Sequence, residues 1–182
     1  IVLRQKYRIK DMGIWTDYLR MLDRCGKDLH NAHYVCPADL KAEHDKYQNK
    51  VRILQEQKKR MEQMKRAREN EARFRELKGK FFGLEFTDGT IVVRVLDSVE
   101  AYYDEGNALH HCVGQCEYYL KPNTLVFSAR IENKRVETVE LSLETFKVLQ
   151  SRGLCTKNTK YHKRIMNLVH KNIALVRKRM TA

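Results

Sequence analysis

Proline is nearly missing from this 182-residue chain, with two residues, and glycine is sparse, with eight. Collagen-like, proline-rich and glycine-rich low-complexity architectures are thereby excluded. No apolar run approaches the roughly eighteen residues of a membrane-spanning helix. The opening "IVLRQKYRIK" has no apolar h-region followed by a small-residue cleavage site, so it does not read as a signal peptide. It also lacks an initiator methionine and reads as part of a longer protein. Negative charge is the remaining shortage: 23 Asp and Glu face 36 Lys and Arg, a formal charge of +13. A compact chain with that excess repels itself, and the commonest compensating partner is nucleic acid, whose phosphates release counterions to Lys and Arg.

What is present suits one domain with a helical extension. Hydrophobic residues make up 42% of the chain, enough for a core, and charged residues 32%. Five cysteines, Cys25, Cys36, Cys112, Cys116 and Cys155, are an odd number. Without a secretory signal they are expected as reduced thiols, which points to a cytoplasmic location.

Apolar residues at Ile14, Trp15, Tyr18, Leu19 and Leu22 follow the stripe of a one-sided helix, with Gly26 as its stop. A second helix restarts near Pro37 and Asp39. From Leu40 to about Lys78 no proline or glycine interrupts a run of Glu, Lys, Arg, Gln and Met, all good helix formers. Its apolar positions are too sparse for a sustained coiled coil. Composition changes at Gly79. "KFFGLEFTDGTIVVRVLDS" predicts a hairpin around Asp88-Gly89. Ser98 then caps a short helix that Gly106 is expected to end, and a further short helix is expected at Gln115 to Leu120. Two or three more strands follow, with Asn133-Lys134 as one turn and Glu144-Thr145 as another, and then one C-terminal helix. The expected fold is α+β: an antiparallel sheet of about five strands in the second half, with N-terminal helices, one long charged helix and a C-terminal helix around it. The division expected is 1–78, helical, and 79–182, α+β.

The chemically unusual stretch is "GNALHHCVGQC", Gly106 to Cys116. Cys112 and Cys116 are spaced as half of a zinc site, but the loose second pair, Cys155 and His162, lacks the local rhythm of one. No metal and no cofactor are expected. As a nucleophile, Cys112 would need a base, and an adjacent His111 is awkwardly placed, so His110 or His162 serves equally well. Because free cysteine is among the most buried residue types, Cys112 is expected as a buried filler. Two adjacent histidines cannot both face a core, so at least one is expected in a cleft, available as acid or base. Gln150, with Arg152 just beyond it, and Arg130 end otherwise apolar strands. These groups can converge with His110 and His111, or serve as ordinary edge residues.

Further motifs make a pattern with it: Pro37, Asp39, Leu40, His44 and Asp45 in "VCPADLKAEHD"; Leu109, His111, Cys112, Val113 and Gly114; Arg130, Thr138 and Glu140; and Gln150, Arg152, Gly153 and Asn158. Together they resemble the PcfJ-like family, encoded on conjugative plasmids, phages and related mobile elements. Cys116 departs from the family pattern, which has an aromatic there, and the charged stretch 55–78 looks like an insert. The resemblance implies an accessory role in plasmid transfer without a settled chemistry. It draws His111, Cys112, Arg130, Gln150 and Arg152 into one candidate catalytic site.

Three functions are therefore expected to compete. One is an accessory protein of a mobile element that contacts nucleic acid or a nucleoprotein complex through Lys58, Lys59, Arg60, Lys65, Arg66 and Arg68, with Arg177, Lys178 and Arg179. Another is a metal-independent hydrolase acting on phosphodiesters through the His/Cys/Arg/Gln site. The third is a protein-binding adaptor docked through helix 41–78. A membrane partner is not expected.

Overall fold

The computed structural model describes residues 1–181. Two compact units divide the chain, Ile1–Glu62 and Gln63–Ala182.

The first unit is helical. Helix α1 (Met12–Arg24) starts where the Asp11 side chain accepts a hydrogen bond from the Ile14 amide, and a one-turn α2 (Ala32–Val35) is capped the same way by Asn31. Such caps satisfy amide donors that the first turn leaves without partners. Helix α3 (Leu40–Lys78) then begins, and Asp39 accepts from the Ala42 amide. Tyr18, Met21 and Leu22 bury against Tyr47 and Val51. Tyr18 donates its hydroxyl to the Tyr34 carbonyl and Trp15 its indole N–H to that of Val35, both at 2.9 Å. Beyond Val51 the helix carries no buried residue until Ala67, so its middle is solvated.

The second unit is built on five strands: β1 (Glu85–Thr87), β2 (Ile91–Val95), β3 (Thr124–Ile131), β4 (Lys134–Ser142) and β5 (Val148–Arg152). They pair in sequence order, every neighbour antiparallel. Gly89, with φ +89°, makes the predicted turn between β1 and β2. The β3–β4 turn is carried by Glu132 and Asn133, both at positive φ, one residue ahead of the pair expected. The β3–β4 register shifts between Ala129 and Arg130, and the β4–β5 register between Glu140 and Leu141.

One sheet face is a conventional apolar core. Ile91, Val93, Phe127, Ala129, Val139 and Leu141 pack there with Ile165, Leu168 and Val169 of α5 (His162–Lys171) and Val176 of α6 (Ile173–Thr181). The single C-terminal helix expected is thus two, separated at Asn172, whose side-chain amide bonds the Leu168 carbonyl. The other face is covered by α4 (Val99–Leu109). Phe74 of α3, Tyr102, Tyr103 and Val99 of α4, Val113, Tyr119 and Val126 form its apolar part. Lys78, fully buried, ties the end of α3 to this layer by donating to the Pro122 and Thr124 carbonyls.

Helix α4 does not end at Gly106. It continues to Leu109 and is closed by His110 in the left-handed region, φ 54°. Gly106 instead permits a close approach. A Cβ there would lie 2.6 Å from the His111 carbonyl oxygen, so its absence lets the chain fold back against the helix. Gly114 does the same against Tyr103, where a Cβ would meet the Cα and ring at 2.8 Å. The turn through His111, Cys112 and Val113 is thereby held on α4 from both ends. The helix expected at Gln115–Leu120 is a single 3-10 turn, Tyr118–Leu120, entered through Glu117 at positive φ.

Candidate functional site

On the α4 side of the sheet, strand pairing lays polar residues in rows. Arg94 of β2 pairs with Ser128 of β3, Ser128 with Thr138 of β4, and Thr138 with Arg152 of β5. Two residues along, Val126 pairs with Glu140 and Glu140 with Gln150. Because side chains alternate along a strand, these groups share one face. A buried sheet face with this many polar groups is costly unless each finds a partner.

The central partner is Glu105 of α4, fully buried. Thr138 Oγ1 donates to its Oε1 at 2.9 Å, and Arg135 Nε to its Oε2 at 2.8 Å. Burial pushes the Glu105 carboxyl above its ordinary value, while Ser128, Thr138, Arg135 and Arg130 pull the other way. His111 Nε2 lies 2.9 Å from the same Thr138 Oγ1. Since Thr138 gives its one proton to Glu105, its oxygen accepts from Nε2–H of His111. The result is a carboxylate–hydroxyl–imidazole chain reaching from the core outwards. Burial lowers the His111 pKa, so the ring is neutral near pH 7, although a hydrogen bond with its own backbone works against that shift.

Beside this chain is a cavity of about 100 Å³. His111, Cys112, Gln150 and Arg152 line it, with Tyr118 and Glu140. Gln150 Nε2 donates to Glu140 Oε2 at 2.7 Å and to the Tyr118 hydroxyl at 3.3 Å. Lys121 lies over the Tyr118 ring, 3.2 Å from its centre, and 3.6 Å from Glu140 Oε1. Arg152 is exposed and donates to Asn158 Oδ1 at 2.9 Å. Four of the five residues expected to converge, His111, Cys112, Gln150 and Arg152, therefore meet at one hollow.

Arg130 does not line it. Its Nε donates to Ser128 Oγ at 3.0 Å, beside Arg135. Cys112 is exposed, not the buried filler that cysteine statistics favour. The reason is local: Val113, next in the turn, points inward and takes the apolar position. Cys116 is exposed too, and its thiol pKa is raised, first by a hydrogen bond with Cys112. His110 faces solvent as the helix cap, and His162 belongs to the opposite face, where its Nδ1 meets Glu137 Oε2 at 2.9 Å. Among the described residues, neither makes a hydrogen bond with Cys112. Among the described residues no cluster of three or more His, Cys, Asp or Glu side chains is arranged to hold a metal ion. Among the same residues, no helix is long and apolar enough to cross a membrane.

The motif in the first unit is also locally ordered. His44 contacts Asp45 through Nδ1 at 3.0 Å and Asp17 through Nε2 at 3.3 Å, and Lys41 pairs with Asp45 at 2.8 Å. Pro37 and Asp39 line a separate hollow of about 660 Å³.

Sequence reading missed Glu105 and Arg135, and did not place Thr138, Glu140 or Arg94 in the site. A signal existed for three of them: Arg94 interrupts the apolar run of β2, and Thr138 and Glu140 alternate with Val139 and Leu141 in β4. Glu105 gave none, because a glutamate in a short helix is ordinarily solvated.

The basic residues read from the sequence are exposed: Lys58, Lys59, Arg60, Lys65, Arg66 and Arg68 on α3, and Arg177, Lys178 and Arg179 on α6. Of the six on α3, only Lys65 has a carboxylate within 4.0 Å among the described residues, Glu69 at 3.8 Å. On α6, Arg177 stacks over the Phe146 ring at 4.4 Å, and Arg179 reaches the Lys80 carbonyl at 3.4 Å.

No curated protein and no solved structure matches the chain. The family model described as PcfJ-like protein matches residues 14–166, which takes in both the His44 motif and every residue of the cavity, and the chain belongs to that family.

Proposed function

We propose that this chain is an accessory protein of a mobile genetic element, from plasmid conjugation or phage, that contacts nucleic acid or a nucleoprotein complex. One observation carries the contact: Lys58, Lys59, Arg60, Arg66 and Arg68 project from a solvated stretch of α3 with no carboxylate within 4.0 Å among the described residues. Cations left without counter-charges at that density are matched by phosphates. No aromatic residue interleaves with them, so the contact is with backbone phosphates and carries little sequence preference. The mobile-element part of the reading rests on the family.

Fluorescence anisotropy of a labelled oligonucleotide across a salt series tests it. Log affinity should fall linearly with log salt, and changing the six α3 residues to Gln should flatten that slope by several units, each lost phosphate contact removing about 0.7 to 0.9. Absence of binding by the unaltered protein at low salt would overturn the proposal.

A second reading is favoured by the cavity, where His111, Cys112, Gln150 and Arg152 meet: a metal-independent hydrolase of phosphodiesters. His111 would act there as acid or base, held in orientation by Thr138 and Glu105. A nuclease assay of the unaltered protein with the His111→Ala variant decides that reading, since activity that survives the change excludes it.

A further inference from the structure

The polar face of the sheet holds more guanidinium groups than the cavity uses. Arg94 pairs with Ser128, and Arg130 pairs directly with Arg135 on the neighbouring strand. Three arginines from three adjacent strands, β2, β3 and β4, are thus gathered around Ser128. Like charges directly opposite one another in a sheet are unfavourable. The repulsion registers on Arg130, whose pKa is lowered first by burial and then by Arg94 and Arg135.

Two carboxylates, Glu105 and Asp97, moderate this repulsion on Arg130. Glu105 is buried and already engaged by Thr138 and by Arg135 Nε. Asp97, exposed just beyond β2, acts on Arg130 only at longer range. The Nε atoms of Arg130 and Arg135 are bonded to Ser128 and Glu105, which fixes both side chains. Among the described residues, the terminal nitrogens of Arg130 and Arg135 and the whole guanidinium of Arg94 have no hydrogen-bond or ion-pair partner. Each guanidinium carries five N–H donors in a planar fork, the geometry that grips tetrahedral oxyanions in pairs of parallel bonds. Arg130 and Arg135 are half-buried and Arg94 exposed, so the cluster is open on one side.

We infer that Arg94, Arg130 and Arg135 form a binding site for a phosphate group, anchored by Ser128 and Glu105. The site deepens the nucleic-acid reading: α3 supplies diffuse charge, whereas these arginines supply one fixed position for a phosphate. Arg152 lies in the same row as Arg94, two strands beyond Ser128, so a strand held at the arginines runs beside the cavity. Arg130, which the cavity leaves aside, thereby acquires a role in phosphate recognition.

The test uses the arginine Nε–H resonances of the whole chain in proton–nitrogen correlation spectra. One titration uses inorganic phosphate and another a dinucleotide with a single internal phosphodiester, each against a sodium chloride control of equal ionic strength. Resonances of Arg94, Arg130 and Arg135 should shift and saturate, while those of Arg177 and Arg179 drift without saturating. Arg94→Gln should weaken the saturation about tenfold, the loss expected for one charge-assisted contact. Because Arg94 is exposed, the variant keeps the fold, which the remaining resonances report. Saturation by both probes assigns a phosphodiester, and saturation by inorganic phosphate alone a terminal or free phosphate. Equal drift of all arginines, or saturation unchanged in Arg94→Gln, overturns the site. The six-residue α3 variant keeps the saturation while losing oligonucleotide affinity, so failure of the α3 contact and failure of this site appear in different measurements.

Discussion

His111 Nε2 meets Thr138 Oγ1 at 2.9 Å, which pins the turn after α4 to the middle of β4. That one hydroxyl is shared with Glu105, so it holds both a buried carboxylate and the imidazole at the cavity wall. The histidine that stands out in the sequence is first of all an anchor, its ring held in place by Thr138.

Thr138→Val keeps the shape and removes the hydroxyl. Glu105 loses a donor inside the core and His111 an acceptor at the cavity wall. Urea unfolding should show a loss of about 1–3 kcal/mol, the cost of stranding buried polar groups, and Thr138→Ser should restore most of it. Amide exchange should quicken through Cys112 and Val113 in the Val variant. Unchanged exchange there would show that the turn is held by other contacts.

The two buried glutamates should impose opposite pH dependences on stability. Glu105 has its folded pKa raised above the ordinary 4.5 by burial. Its protonated form is the one the fold favours, so its contribution is full below the unfolded value and is lost as pH rises through the folded one. For Glu137, burial also pushes upward, but hydrogen bonds from Ser151, Thr159 and His162 outweigh it, and the pKa is lowered from 4.5. Its contribution is present above the unfolded value and lost as pH falls through the folded one. Denaturant midpoints measured across the acid range should therefore fall less steeply with acid in Glu137→Gln, and fall less on the rising side in Glu105→Gln. The same direction of change in both variants would contradict the assignment.

Gly114→Ala places a methyl 2.8 Å from the Tyr103 Cα and 2.9 Å from the Tyr102 carbonyl, atoms of helix backbone that cannot yield cheaply. A loss of about 1–3 kcal/mol is expected from this overpacking. Gly79→Ala, where a Cβ meets nothing within 4 Å, is the control and should be near neutral. Thermal unfolding of the two variants distinguishes a packed turn from a merely flexible one.

Much of the fold was legible because its signals are local. The Asp88-Gly89 turn, the uninterrupted helix-forming run from Leu40 and the β-rich apolar runs of β2 and β3 each follow from neighbouring residues. The errors fell where a residue's role is set by how the folded chain packs rather than by its own propensity. Gly106 reads as a helix stop, yet its missing Cβ accommodates the His111 carbonyl. Cys112 reads as buried, yet Val113 takes the inward position. The convergence of His111, Gln150 and Arg152 was suggested by motif order. Glu105 and Arg135 were out of reach, because their pairing depends on a helix laid across strands thirty residues away.

The register shift in the β3–β4 ladder has a consequence of its own. Thr138 and Arg135 are three residues apart, and in a regular strand that odd interval sends side chains to opposite faces. Val136 is the supernumerary residue: Ala129 pairs with Glu137, and Arg130 with Arg135. A bulge of this kind resets the alternation, and Val136 packs into the apolar core on the far side. The carboxylate of Glu105 is thereby gripped by both Thr138 and Arg135 from a single strand. One inserted residue thus acts as a parity change in β4, turning Arg135 towards the polar face while Glu137 continues to serve the core.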